Sequence, residues 1–302
     1  MKNINIVTES NPIKGIVICL VGYFFVSLIG VCEKSIGMKI PLPMILFFQN
    51  IVCLCLTIPG LLKSDINTLK TPYIGTYTIR IFCGLGCYAT LFYVMRFMPI
   101  SEAFLYQYSA SLWIPFITAI WFRTSIPRSI WFGIIVGFMG IAMILDPGAS
   151  FFGLISIIGI LCGIFQGISV VAIRKLSVAE PTMRILFYNF LVGTIVSGFL
   201  LINNWKPINI HEFIWLLGVG FNTYLAQKFI TISLKYANAT TLAPICYLSI
   251  LFTGIFGWII WREIPNELTL AGMFLVIAGC LLSVFLSKQK YKTQTNLLAE
   301  GL

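Results

Sequence analysis

One histidine and ten acidic residues in a chain of 302 leave little with which to run polar chemistry. The histidine, His211, stands beside Glu212 in a connection between apolar runs. No histidine pair, His/Cys metal set or Ser-His-Asp arrangement can therefore be assembled from it inside an apolar interior. No glycine-rich Lys-Ser/Thr phosphate loop occurs either, which excludes a motor built on that motif. The expectation is a protein that is not an enzyme and uses no metal and no cofactor. Any movement it performs is passive or driven by a gradient. Charge is scarce as well: 10% of residues are charged and 59% hydrophobic, too little polar surface for a soluble domain.

What fills the chain is a series of ten apolar stretches, each about the length that crosses a ~30 Å hydrocarbon layer as a helix. They run Ile13–Cys32, Leu42–Leu62, Thr78–Met98, Ala103–Phe122, Ile130–Pro147, Phe152–Ile173, Ile185–Ile202, Phe213–Leu234, Ala239–Trp261 and Leu268–Ser287. The breaks between them collect charges and turn formers, as in Lys63-Ser64-Asp65 and Asn203-Asn204-Trp205-Lys206-Pro207. None is long enough for a second domain. The first apolar run is too long, and lacks the small-residue cleavage site, for a removable signal peptide.

The net charge of +10 has the sign of a nucleic-acid binder, but its distribution points elsewhere. Counted by alternate connections, fifteen basic residues fall on the side of the N-terminus and five on the other (Lys34, Lys39, Arg96, Lys206 and Arg262). This is the positive-inside bias of an inner-membrane protein with both termini cytoplasmic. Its partners are then the bilayer and a small molecule, not nucleic acid. Eight of the nine cysteines fall within spans and Cys32 at a span end, so they read as small packing residues rather than a disulfide framework.

The two halves repeat. Ile45-Leu46-Phe47-Phe48-Gln49 recurs 140 residues later as Ile185-Leu186-Phe187-Tyr188-Asn189. At an offset of 141, Gly22, Phe24 and Lys34 match Gly163, Phe165 and Lys175; at 139, Arg123, Gly133 and Gly140 match Arg262, Gly272 and Gly279. Five spans per repeat is an odd number, so the second copy enters the membrane inverted. Inverted repeats suit a carrier, because they can exchange conformations around a midplane site at little cost in energy. The expected fold is an all-α integral membrane protein of ten transmembrane helices in two inverted five-helix repeats, residues 1–148 and 149–302.

With these features the chain resembles the drug/metabolite transporter superfamily, in its ten-helix branch of EamA type. The resemblance spans roughly residues 13 to 287. Its most recognisable pieces are Ala239-Thr240-Thr241-Leu242-Ala243, then Gly257-Trp258-Ile259-Ile260-Trp261-Arg262-Glu263-Ile264-Pro265, with Met98-Pro99-Ile100-Ser101-Glu102-Ala103 as the first-half echo. Two positions depart from the pattern. Gln49 stands where members often carry an arginine, and Arg123-Thr124 where an acid often ends the fourth span. The first departure removes a fixed positive charge from the second span.

Polar side chains within spans are the candidate cargo contacts, since an unpartnered hydrogen-bonding group in hydrocarbon costs several kcal/mol. Gln49 and Asn189 occupy matching repeat positions, with Asn50 and Tyr188 beside them. Two readings stay open for these amides: cargo contacts, or hydrogen-bonding glue between helices. On the fourth span lie Glu102, Tyr106, Gln107, Tyr108 and Trp113. Spacings of four and seven put Glu102, Tyr106 and Trp113 on one helical face. That face offers an acid and aromatic rings to an amine-bearing cargo; alternatively Glu102 sits in interfacial water and Tyr106 in the aromatic belt.

Gln166, Asn222, Tyr224, Gln227 and Tyr247 extend the set to the sixth, eighth and ninth spans. Spans one to four and six to nine should line the cavity, with five and ten outside. Lys228 lies roughly 22 Å from the start of its span, at 1.5 Å per residue. It either snorkels to the interface or faces the cavity. Glu33-Lys34 reads as a helix end at the membrane surface. The functional expectation is a secondary transporter, monomeric or weakly dimeric, moving an amino acid or related amine by alternating access. A nucleoside-like cargo such as S-adenosylmethionine, or a membrane-embedded lipid flippase or enzyme, is the alternative.

Overall fold

The computed structural model describes residues 11–36, 40–62, 71–94, 97, 106–123, 128–145, 155–202, 204–262, 267–268, 270–279 and 281–282. Among them the only regular structure is helical. In chain order the spans are α1 (Pro12–Ile36), α2 (Leu42–Leu62), α3 (Ile74–Val94), α4 (Ala110–Phe122), α5 (Arg128–Leu145), α6 (Ile155–Ala179), α7 (Thr182–Leu201), α8 (Ile210–Tyr236), α9 (Ala239–Trp261) and α10 (Leu270–Gly279). The ten expected spans are thus present in the expected order. A helix of 25 residues such as α1 reaches roughly 37 Å, more than enough to cross the hydrocarbon layer.

The bundle is apolar on its outside. Phe82, Ile120, Phe132, Phe199 and Phe274 are each at least 67% exposed, which water would penalise and lipid does not. Inside, the helices close on small residues. A Cβ at Gly22 would lie 2.8 Å from Ile230, and one at Gly220 would lie 2.5 Å from Val52, so α1 meets α8 and α8 meets α2 at near-backbone distance. The glycine stripe of α6 serves the same end: Gly159, Gly163 and Gly167 receive Tyr106, Ser109 and Ile117 from the fourth span. Where lipid removes the hydrophobic drive between helices, such van der Waals contact is what holds them.

Local chemistry sets the ends. Asn209 accepts from the Glu212 amide at 3.0 Å, and the Glu212 carboxylate accepts from the Asn209 amide at 2.9 Å, a capping box that starts α8. In α9, Pro244 stands in a 3-10 turn (Ala243–Tyr247) between two α-helical pieces. The fourth span has a matching irregularity. Ser109 donates to Tyr106 O at 2.6 Å and Ser249 donates to Cys246 O at 2.6 Å, 140 residues apart in both cases.

Both repeats end their fourth helix on an arginine in the left-handed region, Arg123 at φ 52° and Arg262 at φ 57°. Both also set a lysine over a tryptophan: Lys34 Nζ lies 4.5 Å from the Trp261 ring centre and Lys175 Nζ lies 5.6 Å from that of Trp121. Because the repeats are inverted, these two clasps stand at opposite faces of the bundle. The eight cysteines among the described residues are all free thiols, as packing residues should be.

Candidate transport pathway

At the face that holds the start of α1, the helices are tied by polar contacts. Arg80 of α3 donates to Ile185 O of α7 at 3.2 Å, and the Tyr77 and Tyr188 rings meet at 5.1 Å between centres. Glu180, buried between α6 and α7, pairs with Arg184 and accepts from Thr71 Oγ1 at 2.7 Å. The guanidinium of Arg174, also buried, donates to Leu234 O of α8 and to Asn238 Oδ1 at 3.1 Å. Lys14 sits 4.4 Å from the Tyr236 ring centre, closing α1 on the end of α8.

The opposite half is built differently. Helix α8 packs along α1 and also reaches α2 and α6, whereas its repeat mate α3 packs along α6 and meets α7 chiefly through Tyr77 and Arg80 in its first two turns. Further along α3, Tyr88 keeps 38% of its surface accessible. Glu33 of α1 is likewise exposed, one turn before the end of its helix at Ile36. Tyr108 of the fourth span reaches α9, its Oη 3.4 Å from the Ser249 hydroxyl.

The residues singled out in the sequence fall into three groups. Tyr108 joins the fourth span to Ser249 of α9, and Asn222 faces α1, donating to Gly218 O at 2.8 Å with Cys32 Sγ at 3.8 Å. Others are wall. Tyr106 is buried against Gly159, Tyr247 is buried against Gly137 and bonded to Ser111, and Trp113 lies near Gly167. Asn50 donates to Leu46 O at 2.8 Å and packs on Gly193 of α7. Tyr188 lies on Tyr77, and Gln107 is 3.9 Å from Cys87 Sγ.

Gln49, Asn189, Gln166 and Gln227 are half-buried. Lys228 turns its ammonium to the ring of buried Tyr224, 5.5 Å from the centre and one turn back along α8. Its side chain therefore runs toward the middle of the bundle, not toward the nearer face. Glu102 lies outside the described residues.

A family model for the EamA-like transporter family matches residues 13–146 and again 153–285. The chain belongs to the EamA-like transporter family. It is 27% identical over 270 residues to a pseudopaline exporter of Pseudomonas aeruginosa, covering 89% of this chain and 95% of that one. An S-adenosylmethionine uptake transporter of Rickettsia bellii is 24% identical over 277 residues, covering 89% and 94%. A riboflavin transporter of Vibrio cholerae is 23% identical over 260 residues, covering 84% and 87%. A solved structure described only as "Crystal structure of protein" superposes with a TM-score of 0.80 over 91% of this chain and 98% of its own, at 17% identity, which supports the fold alone. This EamA-like chain is thus a multi-pass membrane transporter of small molecules.

Sequence reasoning did not single out Ser249, which meets Tyr108, or Arg80 and Arg174, which tie helices together. The sequence places Glu33-Lys34 at a helix end at the membrane surface, because the apolar run stops at Cys32. The helix continues to Ile36, which puts the carboxylate a turn inside it. The signal was available in part: Lys34 matches Lys175 across the repeats, and Lys175 lies within α6, four residues short of its end at Ala179.

Proposed function

We propose that this transporter carries an amino acid or related amine-bearing metabolite across the inner membrane by alternating access. Both termini are cytoplasmic, and the repeats 1–148 and 149–302 exchange roles. The observation that carries this reading is the unequal setting of two equivalent helices, α8 drawn in upon α2 and α6 and α3 held to α7 only at one end. Inverted repeats in unequal conformations are one of two related states; exchanging the conformations opens the other face. With the positive-inside orientation, the state seen here is closed to the cytoplasm. The protein works as a monomer or weak homodimer, with no nucleic-acid partner.

A second reading, a nucleoside-like cargo, is favoured by the S-adenosylmethionine uptake relatives, which align over 89% of this chain. Reconstituted vesicles loaded in turn with methionine, S-adenosylmethionine and riboflavin separate the two. Accumulation or counterflow of methionine above protein-free vesicles supports the first reading. Movement of S-adenosylmethionine alone supports the second, and movement of none of the three by folded protein removes both.

A further inference from the structure

Two repeats held in unequal settings display at once what a cycle changes and what it keeps. If each repeat takes on the setting of the other, a contact found in both repeats exists before and after the exchange. A contact found in one repeat alone must break and re-form.

The contact of α8 with α1 and that of α3 with α6 are of the first kind. Along α1, a Cβ at Gly15 would lie 2.7 Å from Ala237 Cβ, and one at Gly22 would lie 2.8 Å from Ile230 and 3.4 Å from Ala226 O. The Phe25 and Phe229 rings stack at 5.8 Å, and Asn222 Nδ2 is 3.8 Å from Cys32 Sγ. Along α6, Ser169 donates to Arg80 O at 3.4 Å, and a Cβ at Gly86 would lie 3.1 Å from the Phe165 ring. Cys87 Sγ is 3.5 Å from Cys162 Sγ, and Leu91 and Val94 share a buried cluster with Ile155 and Ile158. Both pairs run antiparallel, and their registers agree. Gly22 matches Gly163 at an offset of 141 and Cys87 matches Ala226 at 139. Gly22 meets Ala226, and Cys162, beside Gly163, meets Cys87.

The contact of α8 with α2 is of the second kind. Cys53 donates to Gly220 O at 3.1 Å and packs with Tyr224 in one buried cluster, whereas its equivalent at 140, Gly193 of α7, meets Asn50 of α2. We infer that the transporter cycles as two helix pairs drawn from both repeats, α1 with α8 and α3 with α6, each unbroken while α8 leaves α2 and α3 closes on α7. Small residues and interdigitated side chains at successive turns make sliding within a pair costly. The pairing rests on the carrier reading above and names the bodies that move.

The chain carries its own probe of the α3–α6 pair. Copper phenanthroline in air should join Cys87 to Cys162, the two thiols passing two protons and two electrons to dioxygen, since their sulfurs already stand 3.5 Å apart. For α1 and α8, Asn222→Cys sets a thiol against Cys32. Full-length protein in vesicles is assayed for counterflow of methionine, S-adenosylmethionine and riboflavin before and after oxidation, and peptide mapping identifies the bond. Either bridge should leave counterflow within about twofold of the reduced protein, as expected of a body that moves without deforming. Cys87→Ser, which cannot bridge α3 to α6, reads the effect of oxidation elsewhere.

Counterflow lost with the Cys87–Cys162 bridge, kept in oxidised Cys87→Ser and restored by dithiothreitol, overturns the pairing. Folded wild-type protein in which both thiols stay free throughout oxidation overturns it as well. Where Asn222→Cys does not fold, or does not transport when reduced, the native pair decides alone. Reduced wild-type protein that moves none of the three compounds removes the carrier reading and the pairing with it. That failure is read before oxidation, and failure of the pairing only after it.

Discussion

The two faces of the bundle are built from equivalent residues and held by different forces. Where α1 begins, buried arginines, a buried glutamate and backbone carbonyls bind α3, α6, α7 and α8 to one another. At the other face the ties are aromatic: Lys34 on Trp261 joins α1 to α9, and Phe48 lies against Trp205 and Phe213 beside α8. Charged hydrogen bonds shielded from water are strong when complete and expensive when broken, whereas cation–π and ring contacts of partly exposed groups come apart more cheaply. The difference teaches which face has to be unlocked for the cycle to proceed: the polar one, where several contacts must yield together.

The largest effect should come from cutting that lock at its most buried point. Arg174→Met leaves Leu234 O and Asn238 Oδ1 without their donor and should destabilise the closed face by about 2–4 kcal/mol. Maleimide labelling of Ser177→Cys, at the same end of α6, should rise steeply in the double variant relative to Ser177→Cys alone. Unchanged labelling would show that Arg174 holds nothing shut.

The two lysine–tryptophan clasps allow a sharper test, because inversion predicts effects of opposite sign. Trp121→Leu weakens the clasp at the α1-start face and should favour opening there; Trp261→Leu should favour the opposite opening. Each is worth about 1 kcal/mol, a roughly fivefold shift between the two states. Labelling of Ser177→Cys should rise in the first and fall in the second. Two shifts of the same sign would break the two-fold equivalence.

Smaller effects are expected at the midplane. Lys228→Met keeps the apolar stem and deletes the ammonium over Tyr224, and should lower transport severalfold, whereas Lys228→Arg keeps the charge and should retain it. Normal transport by the methionine variant would make Lys228 a structural anchor. Gln49→Ala and Asn189→Ala should each reduce transport modestly with little loss of stability, while Asn50→Ala should act on the α2–α7 contact at Gly193, costing about 0.5–1 kcal/mol. Transport unaltered in both of the first pair would take those amides out of the pathway.

The apolar periodicity read in the sequence carried the ten spans and their order, and the offset near 140 carried the repeat. The candidate site was less legible. Of the aromatic set on the fourth span, Tyr106 and Trp113 turn to the α6 glycines and Tyr108 turns inward, a division that depends on which face of the span meets α6. Periodicity alone left that stripe open between a cargo-facing site and the membrane interface, and a packing stripe has the same period. Arg80 and Arg174 were counted as charges that orient the protein, yet both are 2% exposed and work as hydrogen-bond donors between helices. No one-dimensional count separates a charge at the interface from one paired with carbonyls of another helix.

The sequence by itself determined that this chain lives in a bilayer, that its backbone resolves into helices, and that it is folded twice over with opposite sense. Those properties are local or arithmetical, following from run length, hydropathy and the parity of five. Only the tertiary structure decided that α8 is drawn in while α3 stands apart, and that Lys34 and Lys175 form clasps. Each depends on which helix face meets which neighbour at a given height. In a membrane that choice rests on short-range fit between small and large side chains, because burial from water no longer distinguishes one apolar face from another.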